Sequence, residues 1–338
     1  MIRFSAPILL FTLTCLSPSL HAGLFDENEP LKVEIQADFS LLERERNKEN
    51  KYPGSLTVNE VQLPIELNVR GNNRLKKKIC KFSPLKVDFK KSPERKQTVF
   101  HKEGDLKLVV LCKKNSAYYD YLRTEYLAYK MLNAVTPLSY RVRWVDVTYK
   151  SGDEVLGERP AFFVEHKKRV AKRNDKGLDQ PARLPRYNNL EAGQAALVEQ
   201  FQYFLGNTDY SLLRSVDPGD CCHNAKLLSD ETHYIPIIYD FDATGLVNAS
   251  YAAPADNLKI RNVKKRLFRG HCQQEPSLQV ARQQILNARE EILAIVNSDT
   301  KLSKSGIRKT LRYVTESFDH FEDDKTWTKK ILKECRTG

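Results

Sequence analysis

The sequence predicts a mixed α+β fold of two lobes, a strand-rich first half and a mostly helical second half. Three observations predict it. Apolar residues alternate with polar ones in the first half, recur at helical spacing in the second, and give way between them to a basic, proline-containing stretch at residues 167–189. The expected boundaries are a leader at 1–22, a strand-rich lobe with one helix at 23–166, and a mostly helical lobe at 167–338.

Residues 31–39 set Val33, Ile35 and Ala37 against polar neighbours, and 63–69 do the same with Ile65, Leu67 and Val69. Residues 84–89 and 106–111 continue the alternation. The period then changes. Residues 116–133 place Leu122, Tyr126, Tyr129 and Asn133 on one helix face, with Pro137 just past the end. Strands are expected again at 140–149 and 160–165, around the turn Ser151-Gly152-Asp153. Beyond the aperiodic stretch, residues 190–205 form a helix with Leu197, Phe201, Phe204 and Leu205 on its core face and Gly206 as its stop. A short strand pair follows at 224–228 and 234–239. Pro276 opens one long helix through Leu278, Ala281, Ile285, Ala288, Ile292 and Ile295, and a further helix covers 305–321.

The first residues read as a secretory leader. Arg3 precedes an apolar run at 6–16 that ends near Ser19-Leu20-His21-Ala22. That run is far short of the ~20 residues a membrane span needs, so no transmembrane segment is expected after cleavage, and the mature protein is expected to be periplasmic or secreted. Of seven cysteines, Cys80, Cys112, Cys221, Cys222, Cys272 and Cys335 survive cleavage, and an even count in an oxidising compartment favours disulfides. Cys80 with Cys112 is the first expectation, because each flanks a strand-like run in the same half, and Cys222 with Cys272 the second. Net charge is +12, concentrated in clusters such as Lys76-Lys77-Lys78 and Lys264-Lys265-Arg266. That balance points to an acidic protein or an anionic envelope component as partner. The export signal, not the charge, argues against nucleic acid.

The densest group of chemistry-bearing residues lies in three pieces: Gly206-Asn207-Thr208-Asp209, Cys221-Cys222-His223-Asn224, and Tyr239-Asp240-Phe241-Asp242-Ala243-Thr244-Gly245. On extended backbone Asp240 and Asp242 point to the same side at the end of an apolar strand, where they can share one divalent cation. Carboxylates so placed need compensation; a metal would supply it, and so would backbone amides at the turn toward Gly245. Adjacent cysteines beside His223 make a poor zinc site, with no Cys-x-x-Cys spacing.

These pieces resemble CotH-type secreted atypical protein kinases, in which a loop Asp, a following Asn and a strand-end Asp-Phe-Asp form the site. The first half resembles them through Val69-Arg70-Gly71-Asn72-Asn73, Pro84-Leu85-Lys86-Val87 and Leu122-Arg123-Thr124-Glu125-Tyr126-Leu127-Ala128, so the likeness spans about residues 63–247. The resemblance implies an atypical protein-kinase-like fold using Mg or Mn and ATP or another nucleoside triphosphate. It implies Asp209 as the catalytic carboxylate, Asn224 and Asp240 as metal ligands with Asp242 assisting, and Glu125 holding a phosphate-binding lysine. Strand order favours Lys107 for that lysine, whereas the local likeness around Pro84 favours Lys86. The glycine-rich phosphate loop of ordinary kinases is absent, which leaves phosphate contact to side chains and to Arg70. Residues 210–223 are an insertion longer than the usual catalytic loop, within which a disulfide could restore the geometry. Three functions follow in order of support: an exported metal-dependent phosphotransferase acting on a protein or envelope component, an inactive kinase-like module holding an anionic ligand, and a metal-dependent phosphoesterase using Asp209, His223, Asp240 and Asp242.

Overall fold

The computed structural model describes residues 22–215, 221–254, 258–272 and 275–336. The expected leader lies outside the described residues except for Ala22, as do Pro218 and Gly219 of the insertion. Among the described residues no helix is long and apolar enough to cross a membrane.

Seven strands of the first half close into a barrel. They are β1 (Leu31–Ala37), β2 (Tyr52–Val58), β3 (Val61–Val69), β4 (Leu85–Phe89), β5 (Asp105–Val110), β6 (Val142–Ser151) and β7 (Glu154–Val164). Neighbours run in the order β1-β2-β3-β4-β5-β7-β6. Every pairing is antiparallel except β1 with β6, which runs parallel from Leu31 opposite Val145 to Gln36 opposite Lys150 and closes the ring. Closure was not legible from alternation, which gives strands but not their partners; it leaves no free edge in the sheet. Alternate residues such as Val33, Ile35, Leu67 and Val87 fill the interior with Phe39, Phe100 and Phe163.

The helix α1 (Phe39–Glu45) follows β1, and α2 (Ser116–Val135) sits between β5 and β6. The second half contains α3 (Lys167–Arg173), α4 (Ala192–Leu205), the hairpin β8 (Ala225–Ser229) and β9 (Tyr234–Ile238), α5 (Glu275–Asn287), α6 (Arg289–Asn297), α7 (Lys304–Glu322) and α8 (Asp324–Trp327). Two expectations change here. The stretch expected to lack structure opens with α3, whose last turn carries Lys172 and Arg173 beside the helix's partial negative end. The long helix expected after Pro276 is two, because the chain leaves helical geometry at Ala288 (ψ 3°) and restarts there. The apolar face nonetheless carries through Leu278, Ala281, Ile285, Ile292 and Val296, all buried in one core.

That core also takes Leu122, Tyr126, Tyr129, Met131 and Leu132 of α2. The helix therefore belongs by packing to the helical part although it belongs by sequence to the strand-rich half. α4 runs through the middle of the same core, buried from Gln194 to Leu205, and stops at Gly206, whose φ of 67° suits glycine. Its buried Glu199 accepts hydrogen bonds from the Tyr187 hydroxyl and from His271, which satisfy a charge that burial alone would make costly.

Cys80 and Cys112 are bonded, as expected. Cys272 is bonded to Cys335 and not to Cys222. Backbone hydrogen bonds already hold the two segments together, from Cys272 N to Arg336 O and from Arg336 N to Gly270 O. Cys222 is bonded to its neighbour Cys221. The Cys272–Cys335 bond closes a separation of 63 residues. Cys272→Ser is expected to lower stability by about 4 kcal/mol and Tm by roughly 10 °C, measured by calorimetry under oxidising conditions; an unchanged Tm would contradict the pairing.

Candidate functional site

The residues singled out from distant parts of the sequence meet where the barrel abuts the helical part, and an arginine joins them. After β3, Gly71 turns the chain at φ 87° into a short 3-10 segment, Asn73–Leu75, that carries Arg74. Its guanidinium reaches Glu125 Oε2 of α2 at 3.4 Å, Asp240 Oδ1 at 3.2 Å and Asp242 Oδ2 at 3.2 Å. Burial opposes its charge, but Asp242, Glu125 and Asp240 outweigh burial and hold Arg74 protonated well above the ordinary range.

One cation among three carboxylates separates their behaviour. Burial pushes Glu125 up to about 8 against the pull of Arg74, with Asp242 and Asp240 adding to the rise. Glu125 Oε1 is buried with no hydrogen-bond partner. Burial likewise raises Asp242, which also accepts a hydrogen bond from Tyr251. Asp240 goes the other way: burial would raise it, but Arg74, Lys107 and Arg70 together hold it below the usual carboxylate range. Asp240 is thus shifted in the opposite direction from Glu125 and Asp242, the separation expected where groups of one type sit in different environments.

Two backbone conformations support the arrangement. Asp240 has φ 68° and Asn224 φ 50°, a region that residues with a side chain seldom occupy and that concentrates at functional sites. Asp240 is held there by its N–H, which donates to the Tyr129 hydroxyl of α2 at 2.8 Å. Asp209 follows the cap of α4, where the Asn207 side chain accepts from Asp209 N at 2.9 Å and donates to Gln202 Oε1 at 2.8 Å. The insertion after Asp209 returns by backbone pairing of Ser211 with His223. A disulfide across it is not what brings it back, since Cys221 and Cys222 bond to each other. The return places His223 Nε2 at 2.7 Å from Asp209 Oδ1, and Asn224 Nδ2 donates to Asp209 O at 2.7 Å and Oδ2 at 3.1 Å. His223 is raised above its ordinary value by that hydrogen bond, with burial opposing.

Lys107 and Lys86 stand opposite each other on β5 and β4, and the structure separates them. Lys107 Nζ sits 3.5 Å from the centre of the Tyr239 ring. Burial, then the charge of Arg70, lowers it well below the ordinary lysine range. Lys86 reaches Asp105 at 3.8 Å with a side chain 42% exposed. Glu125 meets Arg74 rather than either lysine. Lys107 and Tyr239 line a cavity of about 210 Å³ with Tyr140, Val164, His166 and Lys226, at the junction of β7 and α3. Arg70 makes no ion pair among the described residues, but its charge acts on both Lys107 and Asp240.

The donors present suit a hard divalent cation, since Asp240, Asp242 and Asn224 offer oxygen as ligand atoms, and the buried Glu125 Oε1 beside them has no hydrogen-bond partner. Among the described residues, however, no group of three or more His, Cys, Asp or Glu is spaced to hold a metal by itself. Arg74 stands among the acids in that capacity. Sequence reasoning did not single out Arg74, although it lies next to the quoted Arg70-Gly71-Asn72-Asn73, and it gave no role to Tyr129 or Tyr251. The usable signal was the burial of Glu125, which requires a nearby cation without saying which.

No family model and no curated protein matches the chain. A solved structure of a Helicobacter pylori proinflammatory kinase CtkA is similar over 86% of this chain and 94% of that one, at 11% identity and a TM-score of 0.37. At that TM-score the likeness decides nothing about fold or activity.

Proposed function

We propose that the chain is an exported phosphotransferase that uses a nucleoside triphosphate with Mg or Mn and acts on a protein or envelope component. The observation that carries this reading is the meeting of Asp209, Asn224, Asp240, Asp242 and Glu125 near Lys107, residues from five separate segments, of which Lys107 lines a cavity between barrel and helices. The cavity of about 210 Å³ is below the roughly 300–1,000 Å³ of drug-sized sites. It takes a nucleotide base between Tyr239 and Val164, not a whole nucleotide. The phosphates then extend toward Lys107, Arg70 and Arg74. Asp240 and Asn224, with Asp242, would hold the divalent cation, which neutralises phosphate charge when bound. Asp209 orients the attacking hydroxyl and accepts its proton as the bond to the γ-phosphorus forms, while the bond from that phosphorus to the β,γ-bridging oxygen breaks and the nucleoside diphosphate leaves. The three disulfides are compatible with a periplasmic or secreted setting.

A second reading, an anion-binding module without transfer, is favoured by one observation: Arg74 already neutralises Asp240 and Asp242. The oxidised chain, incubated with γ-labelled ATP and Mg or Mn, is expected to pass label to added protein acceptors or to itself. Lys107→Met is expected to reduce the rate by about 100-fold. Thermal stabilisation by ATP without label transfer would favour the second reading, and neither binding nor transfer would overturn both.

A further inference from the structure

A larger cavity, about 550 Å³, opens between α2, α7 and the segment 245–248 that follows Asp242. It lies within the roughly 300–1,000 Å³ of small-molecule sites, and no residue assigned above lines it. Its two carboxylates are already engaged. Asp120 accepts from Ser303 N at 3.2 Å and Ser303 Oγ at 2.6 Å, and Glu316 pairs with Arg266 at 3.7 Å. Its cations are not: Lys264, Lys309 and Arg312 line it, and none has a side-chain hydrogen bond or ion pair among the described residues. Three exposed cations thus line the cavity beside two carboxylates that already have partners of their own.

An independent observation points the same way. Thr124 of α2 and Thr310 of α7 line the cavity while only 5% and 3% exposed. Among the described residues neither hydroxyl makes a hydrogen bond, and neither oxygen is sealed within the packing, so both are left open to the cavity as donors for a ligand. Leu246 and Val247 add an apolar wall. We infer that this cavity binds a small phosphate ester, whose oxygens accept from Lys264, Lys309 and Arg312 and from the two threonine hydroxyls. A phosphomonoester brings nearly two negative charges and three acceptor oxygens, which matches three cations and two donors better than a single carboxylate does. The cavity is also placed to be felt at the acidic cluster. Its Tyr313 packs so closely on Gly206 and Gly245 that a Cβ on either glycine would overlap the hydroxyl, and those glycines flank Asp209 and Asp242 in sequence.

Phenyl phosphate, titrated into the full oxidised chain by calorimetry, is expected to bind. Lys309→Glu with Arg312→Glu, both exposed on α7, is expected to weaken it at least about tenfold, and Thr310→Val by about two- to tenfold. Thr310→Val removes an unpartnered hydroxyl, so the ligand-free variant should melt no lower than the parent. Lys107→Met should bind phenyl phosphate as the parent does, which separates this cavity from the nucleotide site. Co-sedimentation with phosphatidylcholine vesicles containing phosphatidic acid, lost in the charge-reversed variant, would identify the source as a lipid headgroup; binding of the free ester alone would identify a soluble one. No binding by the parent, binding unaltered by charge reversal, or binding lost in Lys107→Met overturns the inference.

Discussion

Arg74→Met is expected to destabilise the fold by about 3–5 kcal/mol near neutral pH, the effect of removing one partner from a buried ionic group. Arg74 is 9% exposed and touches Glu125, Asp240 and Asp242. Without it the remaining acids must be neutralised by protonation or left uncompensated. The pH dependence fixes the sign. In the parent, Glu125 at about 8 lies above its unfolded value of 4.5, so its contribution is present below the unfolded value and fades as pH rises through the folded one. Loss of Arg74 pushes all three acids higher, so the variant loses stability more steeply with rising pH and the gap to the parent narrows as pH falls. Arg74→Lys should recover part of the loss, since a lysine keeps the charge but cannot fork across three carboxylates. Urea unfolding near pH 5 and near pH 7 measures this. A gap that does not change with pH would show that Arg74 acts by packing and not by charge.

The elements that follow the period of their own secondary structure were legible: β1, β3, β5, α2, α4 and α7 lie within a few residues of where alternation or helical spacing places them. The misses have local reasons. β2 contains Pro53 and Gly54, which read as a turn. There the glycine is needed because a Cβ would collide with the backbone oxygen of Gln36 on β1. α1 spans only seven residues, too few for a period to show. The site was legible in part for a different reason. Asp209, Asn224 and Asp240 sit in short segments whose order is informative, whereas Arg74 lies in a basic run, Arg74 to Lys78, where nothing local distinguishes the buried cation from its solvated neighbours. The Cys272–Cys335 bond was equally hidden, since the two backbone hydrogen bonds that join Gly270 and Cys272 to Arg336 bring the cysteines together. Those links join residues far apart in the chain, and composition and periodicity carry no information about them.

Asp209→Asn is expected to reduce transfer by about 10³-fold, within the range for loss of a positioned general base. An amide fits the same space but has a single acceptor, so of the contacts to His223 at Oδ1 and from Asn224 at Oδ2 one must be lost or reverse its donor. The partner of Asp209 gives the reaction a pH signature. His223 donates to Asp209 Oδ1 when protonated, at 2.7 Å, and the hydrogen bond holds the imidazolium to higher pH than usual. While His223 is charged it draws on the carboxylate proposed to accept the hydroxyl proton. Transfer should therefore rise as pH increases through the raised His223 value, and His223→Gln, whose amide donates at every pH, should flatten that limb. The same contact predicts a measurement that needs no activity. In Asp209→Asn the His223 titration followed by NMR should move back down toward its ordinary value, because the first cause of its rise is gone. A shift in the titration with transfer intact would uphold the geometry and remove Asp209 from the chemistry. A titration that does not move would remove the geometry itself, and with it the reason for expecting the rate to depend on His223.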